Sequence, residues 1–203
     1  MSIVVEHEKR RRDILNKALD VFVDEGFEDA TFQKIADRCG ITRTTLYIYF
    51  KNKKEIFNYS IKQLLLTVEA DLTKVRSDTG LNMVDKIIRV LSRIIELLEK
   101  NRRLLAVILD YLLHLSKSNA DPNYRVRRRT LKLRHILATM VIDGIKAGEI
   151  VSLNIKAADD LFYPLIEAAI FRLAVLKQET VADLKTSAAL AVRLMAVNRQ
   201  LEA

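Results

Sequence analysis

Cysteine, proline, glycine and tryptophan are nearly missing from this chain of 203 residues: it has one Cys, two Pro, five Gly and no Trp. A single Cys, Cys39, excludes an internal disulfide and fits a reducing cytoplasm, where the chain is expected to act. As a redox sensor Cys39 would need exposure, so a small buried filler is the preferred reading. The rarity of Pro and Gly removes helix breakers. With half of the residues hydrophobic and recurring at helical spacing, the expected fold class is all-α. No apolar run is long and uncharged enough to span a membrane, and the opening MSIVVEHEKRRRD has no signal-peptide core, so no membrane partner is expected. Catalytic signatures are missing too. There is no Gly-rich phosphate loop, no Cys/His cluster with metal spacing and no HExxH, and the three histidines lie far apart. Catalytic residues, metal and cofactor are therefore all expected to be none.

Acidic charge is in short supply, leaving a formal net charge of +8. That excess suggests nucleic acid only if it is placed to meet it. Residues 1–55 hold 11 basic and 10 acidic residues, so the surplus lies outside the N-terminal part. Any DNA affinity must then come from local placement. Lys9 to Arg12 are expected as a basic arm before the first helix, and Lys51, Lys53 and Lys54 form a second group able to meet phosphates.

What is present is organised around Thr31 to Lys54, TFQKIADRCGITRTTLYIYFKNKK. The Thr31 hydroxyl is suited to capping a helix that turns Phe32, Ile35 and Ala36 to one face. Gly40 follows Cys39 where a helix C-terminus favours a positive φ. Thr42 is a second cap, opening a short helix from Arg43 to about Tyr49 in which only Leu46, with Phe50 after it, follows an apolar line. Arg43, Thr44, Thr45, Tyr47 and Tyr49 project away from the core. A helix buried along one narrow line and polar elsewhere suits the DNA major groove.

These residues, with ILNKALDVFVDEGFEDATFQKIADRCG before them and GITRTTLYIYFKNKKEIF at the end, resemble the DNA-binding domain of TetR-type (tetracycline-repressor-like) bacterial regulators. The resemblance depends on Ala18, Phe22, Gly26, Phe27, Thr31, Ile35, Ala36, Gly40, Ile41, Thr45, Leu46, Tyr47, Phe50 and Lys53 and covers about the first quarter of the chain. It implies a helix–turn–helix domain over 1–55 and a helical effector-binding and dimerisation domain over 56–203. It also implies that Arg43, Thr44 and Thr45 face base edges, with Thr31, Tyr47, Tyr49 and Lys53 on phosphates.

In chain order, the first helix is expected from about Arg11 to Asp24, ended by Gly26, with Ile14, Leu15, Ala18, Leu19, Phe22 and Val23 as its apolar stripe. A fourth helix starts near Lys53. Five more follow: one on the Val84–Leu98 stripe, one on Leu104–Leu115, then about 123–147, 157–177 and 182–200. Residues 116–123 are expected as a loop, with Pro122 opening the next helix. Pro164 should kink its helix or delay its start.

The run YRVRRRTLKLRH (124–135) is for the most part a solvated face, but Arg129 leans about 40° from the stripe that includes Leu133, Leu137, Met140 and Gly144. Arg172 shares a face with Leu161, Leu165 and Ala169. Each cation needs an anionic partner, either an internal carboxylate such as Asp110, Asp143 or Glu167, or a ligand. The helix at 157–177 is apolar almost all round, so one side should meet a partner subunit. With the small residues Ala188, Ala189 and Ala191 this gives a homodimer whose interface includes Ile170, Ala188 and Ala191, as the resemblance also implies. An apolar effector site is expected from Tyr111, Met140, Phe162 and Ile166, oriented by Arg129.

The expected function is a transcriptional regulator, a repressor released from a near-palindromic double-stranded DNA operator by a small, largely apolar effector. Two rivals follow from the same residues. One is a DNA-binding protein of this fold controlled by a protein or polymer partner, and the other is a helical enzyme or scaffold with a relic head.

Overall fold

The structure, a computed structural model, describes the backbone of residues 3–117 and 123–197 and the side chains of residues 5–115 and 133–197. Pro122 and the side chain of Arg129 therefore lie outside the described residues. Among those described, nine α-helices account for almost all of the backbone: α1 (Ile3–Asp29), α2 (Phe32–Cys39), α3 (Arg43–Tyr49), α4 (Lys53–Arg76), α5 (Met83–Lys100), α6 (Arg102–Lys117), α7 (Asn123–Lys146), α8 (Ile155–Ala174) and α9 (Ala182–Leu194). No helix among these residues is long and apolar enough to cross a membrane.

The chain divides into two compact units, Met1–Ala70 with Val107–Tyr111, and Asp71–Ala106 with Leu112–Ala203. In the first unit α1 packs on α2, and α2 on α3. Its core is built from Ile14, Leu15, Ala18, Val21 and Phe22 of α1, Phe32, Ile35, Ala36 and Cys39 of α2, Leu46 of α3, Phe50, and Ile56 and Phe57 of α4. Phe22, Phe27, Phe57 and Tyr111 form one aromatic cluster with ring centroids 4.3–5.9 Å apart. Ser60 is the one buried polar side chain among the described residues, and its hydroxyl donates to the Leu15 carbonyl at 2.8 Å, joining α4 to α1.

Two expectations for α1 are corrected. The helix begins at Ile3, so Lys9 to Arg12 are helical residues and not an arm ahead of the helix. Acidic and basic residues four apart (Glu6 with Arg10, Glu8 with Arg12) favour helix there, and no Pro or Gly interrupts it. At the other end Gly26 (φ 81°, ψ 172°) breaks the helical path, but one more turn follows to Asp29.

In the second unit α5 packs against α7, α8 and α9, and α8 against α7 and α9. Ile95, Ala169, Leu173, Val181 and Leu184 make one buried cluster, flanked by Leu98, Leu105, Leu165 and Ala168. Gly144 marks a close approach, because a β-carbon there would sit 2.5 Å from Ile150 Cδ1. The chain after α7 is held by a short antiparallel pairing, with Val151 N–H donating to the Met195 carbonyl and Val197 N–H to that of Glu149, both at 2.9 Å. α8 starts at Ile155 under the Asn154 cap and runs through Pro164, so the proline does not delay its start.

α9 has no side-chain cap of its own. Glu99, from the end of α5, takes that role from across the unit, accepting from Val181 N–H at 2.8 Å, Thr180 Oγ1 at 2.9 Å and Lys185 Nζ at 2.9 Å. Burial pushes the Glu99 carboxyl upward, but the bonds from Val181, Lys185 and Thr180 outweigh it and hold the acid below its ordinary range. A depressed folded value means that stability is fully present above the unfolded carboxylate range and is lost as pH falls through the folded value. Glu99→Gln should cost about 1–2 kcal/mol at neutral pH, since hydrogen bonds to a charged group exceed neutral ones. In urea denaturation the gap to wild type should narrow as pH drops below roughly 4. A gap that is the same at neutral and acid pH would contradict the account.

Candidate nucleic-acid interface

The interface is built from two capped helices and the turn between them. Thr31 Oγ1 accepts from Lys34 N–H at 3.2 Å at the start of α2. Gly40 ends α2 in the left-handed region (φ 66°), with its N–H donating to the Asp37 carbonyl at 3.0 Å and Ile41 N–H to that of Ala36 at 3.1 Å. This closes the last turn and redirects the chain within two residues. Thr42 Oγ1 then accepts from Thr45 N–H at 3.1 Å and opens α3. α4 is capped in the same way, by Asn52 Oδ1 on Glu55 N–H at 2.9 Å, while Glu55 reaches back to Lys51 N–H at 2.6 Å. Lys34–Glu25 (2.6 Å) and Arg38–Asp24 (3.1 Å) ion pairs brace α2 on α1; all four side chains are exposed, so each adds little energy.

On α3, Leu46 is the one buried residue. Arg43 and Thr44 are exposed at the N-terminal end. Arg43 donates to the Tyr47 hydroxyl at 3.2 Å and lies 5.7 Å from the centre of its ring, while Tyr47 itself leans on Phe32 at 4.7 Å. The Thr45 hydroxyl is 2.8 Å from that of Thr42. Tyr49 stacks on His7 of α1 at 4.6 Å, a contact that sequence spacing could not reveal. Ile48, absent from the expected set, is 70% exposed on the same helix. Its signal was available in the sequence as an isoleucine off the Leu46–Phe50 line.

Lys53 points elsewhere than expected from its position at a helix start. Its ammonium donates to the carbonyls of Phe27 (2.9 Å) and Glu28 (2.6 Å) and lies 4.9 Å from the centre of the Phe27 ring. It thus satisfies carbonyls of the last turn of α1, which have no partner within the helix because it ends at Asp29. Lys51 and Lys54 beside it are exposed. Cys39 is buried in this unit, and burial pushes its thiol above the ordinary value, which fits a filler and not a reactive group.

The expected effector residues belong to two different units. Tyr111 belongs to the first unit, 4.3 Å from Phe27 and 5.0 Å from Phe57 by ring centroids. Met140, Phe162 and Ile166 are buried in the second unit. Met140 also borders an open cleft of about 470 Å³ with Thr73, Arg76, Ser77, Met83, Lys86 and Asp143. Arg172 is paired with Asp183 of α9 at 2.5 Å, and not with Asp110, Asp143 or Glu167. The pairing holds the Asp183 carboxyl below its ordinary value. Arg134, expected sideways or away from the core stripe, joins Asp159 and Asp160 of α8 and lies 5.0 Å from the Tyr163 ring centre.

For the dimer set, Ala188 is 1% exposed within its own protomer, because it faces the α5–α8–α9 core. Ile170 and Ala191 are half-buried. The large apolar side chains exposed on α8 and α9 are Leu161, Phe171, Leu190 and Leu194, with Val175 and Leu176 exposed just after α8.

Residues 14–59 match the family described as "Bacterial regulatory proteins, tetR family". The chain is 25% identical over 162 residues to the fatty acid metabolism regulator protein of Bacillus subtilis, covering 77% of this chain and 79% of that protein. It is 37% identical over 68 residues to the HTH-type transcriptional regulator SrpR of Pseudomonas putida, covering 34% of this chain and 32% of SrpR. Among solved structures, a TetR transcription regulator from Haloarcula marismortui superposes with a TM-score of 0.81 at 17% identity, covering 94% of this chain and all of that one. FadR from Bacillus subtilis, in complex with stearoyl-CoA, gives 0.67 at 23% identity, covering 90% of this chain and 96% of its own. At these identities the structural likeness establishes the fold.

Two substitutions probe the roles assigned to α3 and α4. Arg43→Ala should cost about 1–3 kcal/mol of operator binding and relax selectivity at one base pair, as loss of a bidentate guanine contact does. Lys53→Ala should weaken operator and random DNA by the same factor and reduce the salt slope by about one. Fluorescence anisotropy at several salt concentrations measures both. An unchanged slope, with only the unfolding midpoint lowered, would leave Lys53 as a carbonyl clamp and remove it from the phosphates.

Proposed function

Because this chain is a TetR-family DNA-binding transcriptional regulator, we propose that it acts as a homodimeric repressor released from a near-palindromic operator by an acyl-thioester effector. A regulator of this kind carries no catalytic centre, and its working compartment is the cytoplasm, where the operator lies. The observation that carries the effector class is the extent of the likeness to the Bacillus subtilis fatty acid metabolism regulator. It runs over 162 residues, and so through the helical body as well as the DNA-binding domain. A FadR from the same species holds stearoyl-CoA.

The second unit has surfaces of suitable chemistry. Met83 and Met140 offer flexible apolar contact along the cleft beside α7, and Arg76 and Lys86 on its border supply cations for a phosphate-bearing headgroup. Asp143 on the same border opposes an anion placed close to it, so the headgroup depends on the cations of Arg76 and Lys86. The outward apolar face of α8 and α9 suits a second copy of the chain, since a patch of that kind on a single subunit is costly to leave in water. Half-sites must then be spaced by about one turn of DNA or a multiple of it.

Release requires that the effector bind the low-affinity conformation better than the DNA-bound one, since equal affinity shifts nothing. With operator DNA followed by anisotropy, stearoyl-CoA should raise the operator Kd at least about tenfold, which corresponds to roughly 1.4 kcal/mol of coupling. Coenzyme A alone and stearate alone should each do much less. The Arg76→Ala, Lys86→Ala double variant should need more stearoyl-CoA for the same release. An operator Kd indifferent to acyl-CoA esters of every chain length from eight to eighteen carbons would overturn the effector assignment.

A further inference from the structure

We propose that Ile48 is a specificity-determining residue that reads the 5-methyl group of a thymine in each operator half-site. The inference rests on the DNA-reading role assigned to α3 and goes beyond it by naming the base and the group recognised.

The placement comes from helix geometry. α3 is anchored by Leu46 alone, which is fully buried. At about 100° per residue, positions two before and two after Leu46 lie roughly 160° from it, on the face turned away from the core. Those positions are Thr44 and Ile48, and both are exposed. Being four residues apart, they are neighbours on that face.

The flanks of α3 are engaged within the protein. Arg43 bonds to Tyr47, Tyr47 rests on Phe32, Thr45 meets Thr42, and Tyr49 stacks on His7. The outermost surface of the helix is therefore an isoleucine and a threonine.

A large β-branched side chain at 70% exposure gives the free protein nothing. It lowers helix propensity in a seven-residue helix and leaves apolar area in water. That cost becomes useful if a partner covers it. In the major groove the base edges present hydrogen-bond donors and acceptors together with one apolar group, the thymine methyl. An apolar residue at the outermost point of a groove-entering helix has that methyl as its matching contact. The Thr44 methyl, on the same face, adds to the apolar strip.

The test removes the methyl and nothing else. A binding site is first enriched from random DNA with the full-length protein. Each thymine in it is then replaced singly by deoxyuridine, and the affinities of wild type and Ile48→Ala are measured. One position per half-site should weaken wild-type binding about fourfold, the equivalent of burying one methyl-sized group. In Ile48→Ala the same replacement should change affinity by less than about 1.5-fold, since the partner of the methyl has already been removed. Because Ile48 is exposed, the variant should unfold at the wild-type midpoint. If every deoxyuridine site binds wild type as well as its thymine parent, or if Ile48→Ala keeps the full sensitivity, the proposal is overturned while the DNA-reading role of α3 stands. If no sequence is enriched at all, that role falls as well, and the proposal with it.

Discussion

The first unit depends on the burial of Leu46. A helix of seven residues is too short to persist alone in water, and α3 has just one side chain in the core. Leu46, followed by Phe50, is buried in the core of the first unit, where α3 packs on α2. One anchor on a short helix fixes its rotation. Arg43 and Tyr47 then fall on one flank, Thr45 and Tyr49 on the other, and Thr44 and Ile48 outermost. The Thr42 cap and the left-handed turn at Gly40 fix where the helix starts. With start and rotation both set, the reading face needs no further support from its own side chains.

The second unit is governed by a different constraint. α8 is apolar almost all round, and its inner side is covered by α5, α7 and α9. Leu161 and Phe171 of α8 stay exposed, as does Val175 just after it, and α9 adds Leu190 and Leu194, the last at 77%. Charged residues fasten the edges of this packing: Glu99 onto the start of α9, Arg172 onto Asp183, and Arg134 onto Asp159 and Asp160. In each of these cases one partner comes from a helix distant in sequence or from the next one in the chain.

That difference explains what could be foreseen from residues alone. The caps at Thr31 and Thr42, the turn at Gly40, the Leu46–Phe50 line and the order of helices are local properties, and the structure has them where expected. The partners of Arg172 and Lys53 are not local. Lys53 meets carbonyls 25 and 26 residues earlier, in the last turn of α1, where the helix has no donor partners of its own for them. Ala188 was expected at a subunit interface because small residues permit close approach. It instead permits the close approach of α9 to its own protomer, a choice that periodicity cannot make for a helix apolar on several sides. α1 starts ahead of the basic run Lys9–Arg12, because opposite charges four residues apart favour helix there.

Ile48 is legible only in part from the sequence. Its position off the apolar line was visible, but its significance depends on how completely the side chains around it are engaged, and that required the structure. The central claim is that one helix, anchored through Leu46, presents a fixed face to DNA twice over in a symmetric pair of chains. Hydroxyl-radical footprinting on the DNA upstream of its own gene tests this most directly. The account predicts two protected patches on one face of the duplex, centred about one helical turn or a multiple of it apart, over a near-palindromic sequence. A single patch, or uniform weak protection without preferred sequence, would contradict it.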